Sequence, residues 1–386
     1  MHLFLIDLFI SIDTLAPLIY LQNKKSIICN VNPIQDHSKN NYIRFLVKNG
    51  SIYKKFIGLK KTKFILFFLI KILIKFPRVL QKKFYKIYFY IYYSTCLTSE
   101  EKVLEFLTKN NIKSITYEDS IPKLYISKIA RSAKKLKIPL IKVLSGQIPN
   151  EKKNYNKTFL NANFCNFVFM ANKNLNLKKE SLMKIKYFGA LRYTYWWFSI
   201  IKNKIYSKDW FLSTKNKFFS KKNKNTIVVG FFLKKHMEYN NEVINLLSRI
   251  KSYDKYVILL REKPRDFMPL GCNTHDEDEF SSSQLIEFSD FIITAKPSSI
   301  LLEALQKKKQ IILLNYLNKK LIYSPFNDLS SIYMVNNEKE VFDIISSKKK
   351  VNSKINSYNN FLKKYLKYHK KEFLQISLIK KFYLSY

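Results

Sequence analysis

With 386 residues, 47% of them hydrophobic and 16% aromatic, the chain can bury a large core, and its 6 Gly and 10 Pro are too few for a fibrous or low-complexity protein. The formal net charge of +41, from 69 Lys+Arg against 28 Asp+Glu, draws polyanions: nucleic acid, anionic lipid or nucleotide-linked substrates. No helix-turn-helix, zinc finger or RNA-binding aromatic motif accompanies that charge, so nucleic acid is not the expected partner. Cys29, Cys96, Cys165 and Cys272 are scattered without a metal or disulfide spacing, which suits free thiols in a reducing cytosol.

Residues 1–21 are apolar but carry Asp7 and Asp13 and lack a basic leader, a poor match to a signal peptide. Leu3 to Phe9 is expected as a strand, Thr14 to Gln22 as a helix and Ser26 to Val31 as a second strand, an alternation that predicts an α/β fold. The second strand runs into the polar segment Asn32 to His37. A loop at a strand's carboxyl end is a place for catalysis, and His37 beside Asp36 is a candidate general base or else a solvated surface pair.

From Lys60 to Ser94 aromatic and aliphatic residues alternate with Lys71, Lys75, Arg78 and Lys82 at helical spacing. That pattern reads either as helices lying on an anionic membrane surface or as core helices broken near Pro77. No run reaches the ~18 uncharged apolar residues of a spanning helix.

Ser99 to Asn111 predicts a capped helix, with acidic residues in its first turn. Ile112 to Tyr117 predicts a strand leading to Glu118-Asp119-Ser120, Lys123 to Leu136 a helix, and Ile138 to Leu144 a strand ending before Gly146. Gly146 allows close backbone approach to a ligand or serves as a turn glycine. Asn166 to Ala171 and Ile185 to Gly189 are further strands, the latter followed by Arg192, an anion partner or a cation stacked on aromatics.

Lys202 to Asn225 reads as a linker. Beyond it come a strand at Thr226–Phe232, with Gly230 and Lys234 expected just past it on the ligand side, a helix at Asn241–Ile250, and a strand at Lys255–Leu260 followed by Arg261, Lys263 and Arg265. Asp276 to Glu279 contains a D-x-D, but it precedes a helix whose N-terminus favours acids, so no metal is expected.

The stretch Phe288 to Tyr316 predicts a βαβ unit: a strand ending at Thr294, the turn Ala295-Lys296-Pro297, a helix opened by Ser298-Ser299, and a strand at Ile311–Leu314. Hydroxyls, free N–H groups and the helix dipole suit a phosphate there, although a serine also simply caps helices. A short strand over Asp328–Val335, a helix at Glu338–Ser346 and a helical tail over 351–386, including Phe361, Leu362, Tyr365 and Leu366, complete the chain.

The run SDFIITAKPSSILLEAL…KKQIILLNY resembles the donor-nucleotide half of GT-B glycosyltransferases and their relatives, the surface-carbohydrate and capsule enzymes, CDP-glycerol glycerophosphotransferases and UDP-GlcNAc 2-epimerases. The resemblance implies two Rossmann-like domains facing across a cleft, with C-terminal helices, over roughly 1–200 and 226–350, a linker at 201–225 and a tail from 351 that crosses back. It implies that Ser298 and Ser299 hold a donor diphosphate, assisted by Arg261, Lys263, Thr294, Lys296 and Pro297, with Glu303 toward the ribose. Acceptor chemistry is expected near Asp36, His37, Asp119 and Gly146, and Gly189, Arg192, Gly230 and Lys234 are candidate cleft or phosphate positions. Two departures stand out: Lys308-Lys309-Gln310 replaces the Gly-Lys-Pro of many relatives, and Leu144-Ser145 replaces a Gln-His before Gly146.

The expected function is transfer of a sugar from a nucleotide-sugar co-substrate, without another cofactor, to a surface glycan or lipid-linked acceptor. It would take place in the cytoplasm or on the inner face of its membrane. A nucleotide-sugar 2-epimerase, a polyol-phosphate transferase and a non-enzymatic polyanion-binding protein are the alternatives.

Overall fold

The structure, a computed structural model, describes residues 1–7, 9–31, 37–55, 99–118, 121, 123–144, 165–170, 185–205, 227–232, 240–253, 255–261, 282–295, 300–317, 332–347 and 372–386. The basic-aromatic stretch at 62–94, the acidic segment 276–279 and the tail residues 361–366 lie outside them. The chain divides into two compact units: Met1–Ser145 with Asn154–Arg192 and His369–Tyr386, and Gly146–Lys153 with Tyr193–Tyr368. Residues 193–200, read from sequence with the first domain, thus go with the second unit, and 369–386 go with the first.

The first unit holds strands β1 (His2–Ile6), β2 (Ser26–Asn30), β3 (Ile52–Lys55), β4 (Ser114–Glu118), β5 (Leu140–Val143), β6 (Phe167–Met170) and β7 (Ile185–Tyr187). They form a parallel sheet in the order β3-β2-β1-β4-β5-β6-β7. β1, β2 and β4 are buried throughout, as strands covered by helices on both faces must be, and their apolar runs follow from that. Leu3 and Leu5 point into one core with helices α3 (Glu100–Lys109) and α4 (Lys123–Lys135), through Val103, Phe106, Ile129 and Ala133.

Helix α1 (Phe9–Gln22) follows β1 and begins five residues earlier than its sequence pattern predicts. Helix α2 (Asn41–Lys48) and β3 were not expected from the sequence; Asn40 caps α2 by accepting from the N–H groups of Tyr42 and Ile43. Ser99 caps α3 by accepting from Lys102 N–H, as the sequence predicts.

The second unit carries α5 (Tyr195–Ile200), β8 (Ile227–Phe232), α6 (Asn240–Lys251), β9 (Tyr256–Arg261), α7 (Ser282–Phe288), β10 (Phe291–Thr294), α8 (Ile300–Gln306), β11 (Gln310–Leu314), β12 (Ile332–Val335) and α9 (Glu338–Ser347). Its parallel sheet runs β12-β11-β10-β8-β9. The expected βαβ unit is present as β10–α8–β11, with Phe291 opposite Gln310. Helix α8 ends in the paired bonds Lys308 N–H to Leu305 O and Lys309 N–H to Ala304 O, with Lys308 in the left-handed region at φ 54°.

The last helix, α10 (Glu372–Leu384), packs on the first sheet. Tyr383 is buried there, its hydroxyl 2.9 Å from Thr116 Oγ1 and its ring edge-on to His2. Phe382 meets Phe167, Phe169 and Phe188 edge to face. Cys29 and Cys165 are buried free thiols.

Candidate functional site

In an open parallel sheet, ligand-binding groups gather beyond the carboxyl ends of the strands where the strand order reverses. In the first unit that point lies between β1 and β4. β1 is followed there by buried Asp7, and β4 ends in Glu118, which is fully buried. Ser11, in the first turn of α1, donates to Glu118 Oε2 at 3.0 Å. His37 stands in a short 3-10 turn (His37–Lys39) after β2 and is buried, with Nε2 2.9 Å from the carbonyl oxygen of Asp7. A carbonyl only accepts, so this bond places the proton on Nε2 and leaves Nδ1 as the basic nitrogen. The position is neither a solvated surface nor an open loop; the backbone of Asp7 orients the ring.

Arg192, which the sequence assigned to an anion or to aromatic stacking, instead pairs with Asp13 of α1 at 3.3 Å, both side chains about one-tenth exposed. Gly189 has φ 72°, and a Cβ there would run into the Gln375 amide of α10. Its glycine is therefore needed for helix packing. Gly230, expected just past its strand, lies inside β8, where a Cβ would collide with Ser289 Oγ. Asp36, Asp119 and Gly146 lie outside the described residues.

The groups the sequence reading passed over are Asp7, Ser11, Asp13 and Glu118. Asp7 and Glu118 share one visible signal, an acid at the end of an apolar strand. Their convergence depends on β1 and β4 being neighbours, which the linear order hides. Together with His37 they give this edge several groups able to take or give a proton.

In the second unit the order reverses between β8 and β10. The register aligns Arg261, Phe232, Thr294 and Leu313 in one row across β9, β8, β10 and β11. The chain therefore leaves three adjacent strands at one edge, at Phe232, Arg261 and Thr294. Lys234, Lys263 and Lys296 each follow two residues beyond one of these ends, and with Pro297, Ser298 and Ser299 they lie outside the described residues. Thr294 is buried in the sheet.

Glu303 is buried on α8, with Oε1 3.5 Å from Lys307 Nζ. The same ammonium is 3.0 Å from Glu287 Oε2 and donates to Ser283 O at 2.8 Å. Burial alone would raise the Glu287 pKa, but Lys307 and then Lys309 outweigh it and hold the carboxyl below its ordinary value. Burial lowers the Lys309 ammonium, with Glu287 opposing. The Glu303 carboxylate, which the resemblance points at a ribose, has an internal cation in this structure.

No protein-family model and no curated protein matches this sequence. Among solved structures, the chain is similar to the UDP-GlcNAc 2-epimerase of Neisseria meningitidis bound to UDP-GlcNAc, at 13% identity and a TM-score of 0.55, covering 99% of this chain and 98% of that one. It is similar to the glycotransferase of kitacinnamycin, at 9% identity and a TM-score of 0.52, covering 98% of each. It is similar to the wall teichoic acid polymerase TagF in a CDPG soak, at 14% identity and a TM-score of 0.51, covering 100% of this chain and 90% of that one. At such identities the likeness establishes architecture and no more: the chain has a two-domain GT-B-type fold, with parallel sheets of seven and five strands among the described residues.

Proposed function

We propose that this chain is a GT-B enzyme that transfers a sugar from a nucleotide-sugar donor to a surface glycan or a lipid-linked acceptor, without a metal. The observation that carries the reading is the shared edge of β9, β8 and β10. Neighbouring strands lie about 4.8 Å apart, and two residues of chain reach at most roughly 7 Å. In sequence, Lys234, Lys263 and Lys296 come two residues after the aligned strand ends Phe232, Arg261 and Thr294, and Ser298 and Ser299 directly precede α8. Such a concentration of cations and hydroxyls suits a diphosphate and would stabilise it as it leaves. A donor chemistry also agrees with the +41 charge.

On this reading the other edge serves the acceptor. Glu118 or the Nδ1 of His37 takes the proton from the attacking hydroxyl, and Asp36 and Asp119 are the further candidates. The basic stretch 62–94 would rest on an anionic membrane that presents a lipid-linked acceptor. A nucleotide-sugar 2-epimerase is the second reading, favoured by the likeness to a UDP-GlcNAc 2-epimerase. It needs no acceptor, so product analysis with a nucleotide-sugar alone separates the two.

The test is a thermal-shift screen of the purified chain against UDP, CDP, GDP, CMP-linked and ADP-linked compounds. A ligand bound only by the native state adds about 2.7 kcal/mol at a hundredfold excess over its Kd. One nucleotide class should raise the midpoint, and Ser298→Ala with Ser299→Ala should abolish the rise. Binding of none of them, or an unchanged rise in the double variant, overturns the donor site.

A further inference from the structure

Helix α10 exposes the wrong chemistry for a helix facing water. Gln375, Ile379 and Tyr383 form its buried side, so a glutamine sits inside while large apolar residues sit outside. Phe373 is 62% exposed, Leu384 73%, Leu378 45% and Leu374 42%. At 100° per residue these four share one arc with Lys380 and Lys381, both exposed, and the remaining positions of that arc are Ser377 and Ser385. The arc contains no acid; Glu372 projects toward the buried side.

We propose that the outer face of α10 docks on an anionic lipid bilayer. Its chemistry matches that of a helix lying in the membrane interface, with aromatic and aliphatic side chains entering the acyl boundary and lysines reaching the lipid phosphates. The helix has 13 residues and so is about 20 Å long, too short to cross ~30 Å of hydrocarbon. Charge selects this occupant over a second copy of the chain. A second copy would bring the same two lysines to the same face and a like net charge of +41, whereas an anionic bilayer complements both. The residues of this face are not those of the basic stretch at 62–94, and the proposal stands whichever reaction the chain performs.

The test uses the full chain and vesicles of phosphatidylcholine with or without phosphatidylglycerol. The chain should co-sediment with the anionic vesicles and not with phosphatidylcholine alone. Phe373→Ser with Leu378→Ser, and separately Lys380→Glu with Lys381→Glu, should each lower the bound fraction several-fold while leaving the unfolding midpoint unchanged. The added fluorescence of Phe373→Trp, read against the parent, should be quenched by brominated lipid. Absent quenching overturns the proposal even if the chain binds vesicles, since another segment then makes the contact. It also falls if Phe373→Ser with Leu378→Ser leaves vesicle binding intact, or if that variant converts a dimer to a monomer in light scattering, because the face then belongs to a second copy.

Discussion

The Ser11 hydroxyl donates to Oε2 of Glu118 at 3.0 Å and joins the first turn of α1 to the end of β4. This bond spans the point where the strand order reverses and holds a fully buried carboxylate in one orientation. If Glu118 is the proton acceptor of the proposed transfer, Glu118→Gln should lower turnover by about 10²–10⁴ while nucleotide binding in the thermal-shift assay is retained. Ser11→Ala should lower turnover less and cost about 2 kcal/mol of stability. A Glu118→Gln protein with near-parental turnover would make the carboxylate structural.

Gly189, just past β7, meets Gln375 of α10 at close range. At φ 72° a non-glycine residue is strained, and a methyl group would also strike the Gln375 amide. Gly189→Ala should destabilise by about 3 kcal/mol, from backbone strain plus overpacking. Adding Gln375→Ala should relieve the collision and leave the strain, so the double variant should be less destabilised than the two single costs predict. Gln375 Nε2 has no hydrogen-bond partner among the described residues, so Gln375→Met alone should be neutral or stabilising. Denaturant melts of the parent, Gly189→Ala, Gln375→Ala, the double variant and Gln375→Met decide this.

Lys308 adopts φ 54° at the C-terminus of α8, a position where glycine is usual. The resemblance identified this place by its departure, a lysine where many relatives carry glycine. Lys308→Gly should stabilise the chain by about 1 kcal/mol by removing the left-handed penalty, visible as a higher thermal midpoint. An unchanged or lower midpoint would mean that the lysine side chain contributes more than the strain costs.

Much of the architecture is legible in the sequence because buried parallel strands leave continuous apolar runs. β10, β11 and β8 fall within a residue of their expected bounds for that reason. α2 and β3 escaped notice: the sequence IYKK is short and half polar, and only its neighbour β2 makes it a strand. The start of α1 at Phe9 is hidden because the apolar run from Leu3 to Ile10, interrupted only by Asp7, shows no periodicity to separate strand from helix. The ends of β8, β9 and β10, from which the candidate donor segments leave, are legible because each closes a local apolar run. The site was not legible where it depends on topology. Asp7 and Glu118 are 111 residues apart, and the pairing of β1 with β4 brings the two strand ends side by side. Arg192 could not be assigned from sequence because its partner Asp13 lies 179 positions away.

Lys307 neutralises two carboxylates, Glu287 at 3.0 Å and Glu303 at 3.5 Å, from a site that is only 10% exposed. Lys307→Met should cost about 3 kcal/mol, because it removes the cation that the two carboxylates share. The lowered folded-state pKa of Glu287 contributes stability above its ordinary carboxylate range, lost as pH falls through the folded value. The variant should lose that contribution and so respond less to acid across that window. Adding Glu303→Gln to Lys307→Met should recover part of the loss, and a failure to do so would place the cost elsewhere.

His2 supplies a pH dependence of its own. Its Nδ1 lies 2.8 Å from Ser114 Oγ, and its ring packs edge-on against Tyr383. Burial first, then the nearby amino terminus and Lys25, lower its pKa from 6.5 to about 4. Between these values the unfolded chain binds a proton that the folded chain refuses. The resulting stability is fully present above pH 6.5 and is lost as pH falls toward 4, a change of about 2 kcal/mol after allowance for solvent screening. His2→Asn keeps a polar partner for Ser114 and removes the titration. Urea midpoints measured from pH 7 to pH 4 should therefore fall less steeply for the variant than for the parent, and parallel curves would show that His2 is free to protonate in the folded chain.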